Sequence, residues 1–343
     1  MTGRYEHYED QVRERPGRRS SRPRTKDRPA HADAEVGMVT AVDRGRYTVD
    51  IHGRPVVAMR AREVGRRRIV VGDQVAMVGD TSGGSDSLAR IVRVQERRTV
   101  LRRSADDTDR VERVIVAGAS QLAIVTALAD PEPRPRMVDR CLVAAYDAGL
   151  QPLLVLTKAD LADPGRLTEQ YADLSVPSVA LAAGSHPGDP GDSGDSGDPV
   201  GLAALRDRLR GEVTVLVGHS GVGKSTLVNA LVPSAERATG VVNDVTGRGR
   251  HTSTSAVALP LGHGGWVVDT PGVRSFGLGH IDPTTFVHHF ADLAPGAAGC
   301  PRGCSHDEPD CALDGFVESG QAGAHGRARL DSLRRLLRSR TGD

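Results

Sequence analysis

Residues Val213 to Leu227 read V-T-V-L-V-G-H-S-G-V-G-K-S-T-L. The β-branched run Val213 to Val217 has the continuous apolar character of a strand buried in a parallel sheet. It empties into Gly218-His219-Ser220-Gly221-Val222-Gly223-Lys224-Ser225, which satisfies G-x-x-x-x-G-K-[ST] at every specified position. The glycines let main-chain N–H groups, from Gly218 through Thr226, curl around α- and β-phosphates without a Cβ clash. Lys224 then reaches the β- and γ-phosphates and Ser225 ligates Mg²⁺, while the next helix presents its positive N-terminus. A glycine-rich turn that binds nothing is the bland alternative. The strand before it and the helix after it, both required by the motif, weigh against that.

Composition supports a phosphate cradle. Of 45 basic side chains only Lys26, Lys158 and Lys224 are lysine. An arginine fork differs in shape and hydration from a compact ammonium, so a phosphate cradle has a physical reason to keep lysine where arginine serves elsewhere. At 343 residues the chain is long enough for two or three domains, each with its own core. The net charge of +1 excludes nothing about partners, so local clusters carry that argument. No apolar run is long enough to span a membrane and the N-terminus lacks a signal core. Four cysteines, three of them clustered, argue against a secreted disulfide scaffold. These features predict a cytoplasmic mixed α/β protein with no membrane partner.

Residues 1–34 are Arg/Pro-rich without hydrophobic period and predict a disordered basic tail, either an RNA-touching arm or a solubilising one. From 35 to 102, five short runs alternate with glycine turns: Val36–Val42, Arg46–His52, Pro55–Ala61, Ile69–Val78 and Leu88–Val94. They predict a small closed barrel of OB type, crowded with Arg60, Arg62, Arg66, Arg67 and Arg68. Such arginines either line a nucleic-acid face or form a solvated surface. Arg97–Arg103 reads as a linker.

Residues 103–280 follow a β-α-β rhythm: strand Gln121–Leu128, helix Met137–Ala148, strand Leu153–Thr157. The second strand ends in Thr157-Lys158-Ala159-Asp160, a form of the [NT]-K-x-D loop that reads guanine. The Asp160 carboxylate accepts from guanine N1–H and N2–H₂, donors that adenine lacks, which disfavours an ATPase. The Lys158 stem packs over the site, and Thr157 lacks the amide that an asparagine would use to brace the loop. After strand Pro177–Ala182 comes the acidic low-complexity stretch 185–199, read as a flexible insertion; no glutamate closes a calcium-loop frame there. Beyond the phosphate loop, Trp266-Val267-Val268-Asp269-Thr270-Pro271-Gly272 gives a strand followed by D-T-P-G. There Asp269 orients Mg²⁺ through water and the Gly272 N–H senses a γ-phosphate. The motif order is guanine loop, phosphate loop, D-T-P-G, a rotation of the usual GTPase order. A nucleotide site needs only that each loop sits at the carboxyl end of its strand, so the chain resembles a circularly permuted GTPase.

In the final segment, 281–343, Cys300, Cys304, His306 and Cys311 form C-x₃-C-x-H-x₄-C, a complete Cys₃His donor set for one structural, tetrahedral zinc. A disulfide or a redox pair is the alternative. Cys141, between apolar helical neighbours, reads as core. Arg327–Arg340 predicts an amphipathic helix with Leu330, Leu333, Leu336 and Leu337 on one stripe and arginines opposite, facing phosphate or water.

A basic OB-like barrel, a circularly permuted P-loop GTPase domain and a zinc-binding helical domain, in that order, resemble the ribosome small-subunit-dependent GTPase A family over about residues 36–340. The resemblance implies a GTPase with Mg²⁺ and one zinc, binding GTP and GDP as a monomer. It also implies binding to the immature small ribosomal subunit and its rRNA late in assembly, and departure after hydrolysis. The string Gly247-Arg248-Gly249-Arg250-His251-Thr252 matches the family's first switch, and Val273 stands where Ras-like enzymes carry a water-orienting glutamine. By that resemblance His251 positions the attacking water, and Thr252 or Thr254 reaches Mg²⁺. Two rival readings are a large-subunit assembly GTPase and an RNA-binding scaffold whose nucleotide site no longer turns over. The first lacks the combination of barrel and zinc domain, and the second leaves Lys224, Ser225 and Asp269 without a reason.

Overall fold

Two tight hairpins start the fold. Strands β1 (Glu35–Asp43), β2 (Arg46–Ile51) and β3 (Arg54–Arg60) turn at Arg44-Gly45 and His52-Gly53. All four turn residues have positive φ, at 43°, 89°, 52° and 85°, as two-residue turns matched to strand twist require. Strands β4 (Gln74–Gly79) and β5 (Ala89–Val94) complete the order β1-β2-β3-β5-β4, with β4 returning to β1 and β3 parallel to β5. This is the five-stranded barrel that the alternating pattern predicts, filled by Val39, Val49, Val56, Val75, Met77 and Ile91. In this computed structural model the described residues are 31–65, 67–84, 87–103, 113–182, 199–233, 256–270, 276, 278 and 282–339.

The fourth strand begins at Gln74 rather than Ile69. Gly72 interrupts it at φ +87°, where an added Cβ would lie 1.9 Å from the Ala117 carbonyl oxygen. The expected linker is also partly strand: β6 (Val100–Arg103) pairs antiparallel with β7 (Arg113–Ala117). Just before it, Arg97 grips the buried Asp73 carboxylate at 2.7 and 2.8 Å, so this stretch is fastened to the barrel.

The nucleotide-type sheet follows. Its elements are β8 (Gln121–Ala127), α1 (Pro135–Asp147), β9 (Gln151–Thr157), α2 (Gly165–Tyr171), β10 (Ser178–Leu181) and α3 (Leu202–Leu209). Then come β11 (Val213–Val217), α4 (Lys224–Leu231), β12 (Val257–Pro260) and β13 (Trp266–Asp269). The order β10-β9-β8-β11-β13 is parallel throughout, and β12 closes the edge antiparallel to β13. All seven residues of β8 are buried, which explains its uninterrupted apolar reading. The barrel continues this sheet, because β1 pairs with β12 and eleven strands run without a break. Val257 carries the junction: it pairs with Ala41 of the barrel on one side and Asp269 on the other.

The C-terminal region holds α5 (Pro283–Phe286), α6 (Ala312–Glu318) and α7 (Gly326–Ser339). In α7, Leu330, Leu333, Leu336 and Leu337 are buried, as their spacing predicts. They pack in one continuous apolar cluster with α1, with Phe286 and Phe290, and with strands β8 and β9.

Candidate functional site

Three segments lie at the carboxyl ends of strands of the same parallel sheet: 157–160 after β9, 218–225 after β11, and Asp269-Thr270 at the end of β13. The phosphate loop is shaped by its glycines. A Cβ at Gly218 would stand 2.5 Å from the Val125 carbonyl oxygen, and Gly223 adopts φ +87° immediately before α4. Val222 is a buried plug, while Ser220, Gly221, Ser225 and Thr226 are exposed on the open side. His219 is buried. Its Nδ1 lies 2.8 Å from the Ser220 carbonyl oxygen, and its Nε2 has no hydrogen-bond partner among the described residues.

The guanine-type loop is tied to the phosphate loop directly. The Thr157 hydroxyl donates to the Val222 carbonyl at 2.7 Å. One hydroxyl thereby supplies the brace that an asparagine amide would otherwise provide. Lys158, at φ 58°, donates from Nζ to the Asp130 carbonyl in the loop after β8. Asp160 is exposed at the same end of the sheet. On the other flank, the Lys224 ammonium pairs with Asp269 Oδ1. The Thr270 hydroxyl donates to the Leu216 carbonyl at 2.9 Å, fastening the start of D-T-P-G to the strand that precedes the phosphate loop. The Lys224 ammonium, the Asp269 carboxylate that it faces and the exposed Ser225 hydroxyl stand together at this end of the sheet, a charged and oxygen-rich set of the kind that hard cations and phosphates take.

A second centre lies in the C-terminal region. The ligand atoms of Cys300, Cys304, His306 and Cys311 all lie within 4.8 Å of one another. Cys300 Sγ is 3.6 Å from His306 Nδ1 and 3.8 Å from Cys311 Sγ, and Cys311 Sγ is 3.9 Å from His306 Nδ1. A zinc–sulfur bond of about 2.3 Å gives a tetrahedral edge of roughly 3.8 Å, so the cluster has the dimensions of a zinc cage. No two of the four cysteines are bonded to each other. Burial pushes the Cys304 thiol up to about 12, so a bound cation would have to displace its proton. Glu308 caps the turn by accepting from the Ser305 N–H at 2.9 Å and the Ser305 hydroxyl at 2.7 Å. These bonds hold its carboxyl down to about 2.

The arginines of α7 face neither free phosphate nor open water alone. Arg329 holds Asp292 and the Asp173 carbonyl, and Arg334 holds Asp314 and the His306 carbonyl. Arg335 pairs with Asp139 of α1, and Arg338 takes Asp307 through two nitrogens at 2.6 and 2.7 Å. The helix is a strut pinned by its own chain's carboxylates. The barrel differs: Arg60, Arg62, Arg67 and Arg68 are exposed, Arg60 donating to the Arg67 carbonyl and Arg67 to the Gln95 carbonyl. Cys141 is core, as expected, with its thiol pushed up to about 12 by burial.

His251, Thr252, Thr254, Gly272 and Val273 lie outside the described residues, as do Arg66, the tail at 1–30, and 185–198 of the acidic stretch. Sequence reasoning missed the Asp130 carbonyl that accepts from Lys158, Glu308 beside Cys304, and Arg140 on the Phe276 carbonyl. Asp130 had a readable signal, since it follows a fully buried parallel strand at the loop-bearing end. The other two become apparent only through contacts made in the fold.

Comparison with known proteins agrees with this geometry. The model of the family described as RsgA GTPase matches residues 94–279. The small ribosomal subunit biogenesis GTPase RsgA of Ectopseudomonas mendocina (strain ymp) is 36% identical over 279 residues, spanning 79% of this chain and 75% of the relative. The protein of the same name from Chlorobaculum parvum is 34% identical over 318 residues, spanning 88% and 97%. Among solved structures, YjeQ from Thermotoga maritima aligns with a TM-score of 0.63 at 26% identity, over 90% of this chain and 99% of that one. YloQ, a circularly permuted GTPase, aligns at 0.61 over 92% and 98%, and at 21% identity it speaks for the fold alone.

Proposed function

Because the chain belongs to the RsgA GTPase family and is therefore a GTP hydrolase, we propose that it hydrolyses GTP on the immature small ribosomal subunit. In this reading it works as a cytoplasmic monomer in late subunit maturation, contacts rRNA through its barrel and zinc modules, and leaves after hydrolysis. The supporting observation is the meeting of Thr157–Asp160, the 218–225 loop and Asp269 at one end of the parallel strands. Asp160 reads the guanine edge, and the N–H groups from Gly218 to Thr226 wrap the phosphates. Lys224 neutralises the β- and γ-oxygens. Ser225 and Asp269 would hold Mg²⁺, which supplies charge neutralisation between the β- and γ-phosphates, and the Gly272 N–H meets the γ-phosphate. Cys300, Cys304, His306 and Cys311 would hold zinc, whose closed coordination supplies folding energy rather than chemistry.

With Val273 in place of a water-orienting glutamine, turnover of the isolated enzyme is expected on the order of 10⁻⁴–10⁻² s⁻¹, as for unassisted GTPases. His251 is then the residue that positions water once the subunit orders the first switch. The test is GTP turnover measured alone, with small subunits and with large subunits. Stimulation by small subunits only, lost in His251→Ala while subunit binding with a non-hydrolysable analogue persists, supports the reading. Equal stimulation by both subunits, or none by either, overturns it.

A further inference from the structure

The amino ends of the same parallel strands carry a second concavity. A cleft of about 460 Å³ opens where β8, β9 and β11 begin. It lies roughly 20 Å along the sheet from the loops at the carboxyl ends, and none of the sequence motifs reaches it. Its floor holds Gln121, the first residue of β8, which is 8% exposed. The Thr214 hydroxyl donates to Gln121 Oε1 at 2.9 Å, which turns the amide nitrogen toward the cleft. Its two N–H groups have no partner among the described residues. Glu212 accepts from the Ser120 hydroxyl through Oε2, and its Oε1 has no partner among the described residues. The half-buried Tyr146 stands on one wall with Leu174 and Pro177. At the rim Arg208 is exposed and makes no hydrogen bond or ion pair among the described residues. A carboxamide nine-tenths buried with unspent donors is costly until water or a ligand meets it.

We propose that this cleft is a second ligand site, taking one purine nucleoside monophosphate unit apart from the site at the other end of the sheet. A purine edge sets an acceptor beside a donor: N1 beside the 6-amino group in adenine, O6 beside N1–H in guanine. A Gln121 N–H and the Glu212 Oε1 supply the complementary donor and acceptor. The flat faces of the base suit an aromatic ring and the apolar edges of Leu174 and Pro177. Its phosphate then meets Arg208 at the rim, where a planar fork of N–H groups matches phosphate oxygens. The volume lies within the range of small-molecule pockets. An amino acid would satisfy the same charges but leave most of that space unfilled. The unit is either a free mononucleotide or one nucleotide of a single-stranded RNA, since both present the same edge and phosphate.

The test is equilibrium dialysis of the full chain, its metal retained and Mg²⁺ and GDP in excess, against radiolabelled AMP. AMP lacks both the guanine edge and the β- and γ-phosphates, so it reports on the cleft rather than on the 157–160 and 218–225 loops. One AMP per chain is expected. Arg208→Ala removes the phosphate partner. Glu212→Gln keeps an acceptor for Ser120 but turns an N–H₂ toward the base. Each should weaken AMP by about 10-fold or more, as loss of a hydrogen bond to a charged group does. The exposed control Arg136→Ala leaves AMP binding unchanged. GDP affinity within about twofold of the parent and an unshifted melting temperature, in all three variants, separate a lost ligand contact from a lost fold. Displacement of AMP by single-stranded oligoadenylate assigns the site to an RNA nucleotide, and AMP that stays bound assigns it to the free mononucleotide. Absence of binding by both AMP and GMP at millimolar concentration overturns the proposal. So does binding that neither Arg208→Ala nor Glu212→Gln weakens. A parent that fails to bind GDP sinks the GTPase reading instead, and the AMP measurement still stands.

Discussion

Thr157 shows how much one hydroxyl can decide. It joins the 157–160 loop to the 218–225 loop by donating to the Val222 carbonyl at 2.7 Å, in an interior where neither group meets water. Leaving that carbonyl unpaired costs about 1–3 kcal/mol. Thr157→Val should therefore weaken GDP and GTP alike by about 5- to 150-fold, whereas Thr157→Ser keeps the donor and stays within about twofold. Titration with a fluorescent GDP derivative measures both; a Val variant that binds like the parent would show that the hydroxyl braces nothing. The glycine-rich turn between β11 and α4 was legible, because its motif sets Gly218, Gly223, Lys224 and Ser225 in a fixed local order after a buried strand. The brace was not, because its acceptor lies 65 positions away and only the sheet brings it near. The same holds for Arg140 and Phe276, 136 positions apart.

Among the elements, α7 repays the closest comparison of sequence with structure. Its leucine stripe was readable from period alone, and the stripe is buried as read. Its arginines were not, since period cannot tell a solvated charge from one matched by Asp292, Asp307, Asp314 and Asp139. The hairpin of β6 and β7 was missed for a related reason: charged V-L-R-R offers no alternation until Val116 and Leu101 find the core. Two expectations follow for this region. Protein purified without chelator should contain about one zinc per chain, and Cys304→Ala should lose it together with helical signal from the C-terminal region. GDP binding should survive, because the Thr157–Val222 and Thr270–Leu216 bonds lie within the nucleotide sheet and its loops; elemental analysis, circular dichroism and GDP titration decide. The second expectation concerns acid. The Arg334 hydrogen bond holds Asp314 below the usual carboxylate range. A depressed carboxylate adds stability that is present above its unfolded value near 3.8 and is lost as pH falls through the lower folded value. Melting temperatures from pH 7 to pH 3 should thus drop less steeply in Asp314→Asn. The difference should be modest, under about 1 kcal/mol for a partly exposed pair.

At the scale of the whole molecule, the barrel and the nucleotide sheet are one sheet, joined where Val257 lies between Ala41 and Asp269. The barrel's chemistry sets how the rRNA contact proposed for it would work. Tyr47 is its sole Phe, Trp or Tyr between residues 35 and 102, and it is buried, so the exposed imidazole of His52 is the one ring this stretch offers for a base to stack upon. Binding by this face should come from arginine–phosphate pairing and fall steeply with salt, at a slope near −0.9 per phosphate neutralised on a duplex. Replacing Arg60, Arg62 and Arg67 together by alanine should make that slope shallower by about 1 for each phosphate no longer neutralised, and filter binding across a salt series measures it. The three-part organisation was legible because each part carries its own period or motif. The seam between barrel and sheet was not, since a single pairing at Val257 leaves no mark in composition. That seam also sets a schedule. During synthesis the barrel strand emerges roughly 200 residues before β12, its neighbour, an interval on the order of 10–40 s at ordinary elongation rates. Until then the free end of β1 is an open hydrogen-bonding edge, the kind to which stray strands attach. The nascent chain thus depends on whatever shields that edge, and a translation pause before β12 would prolong its exposure to neighbouring nascent chains.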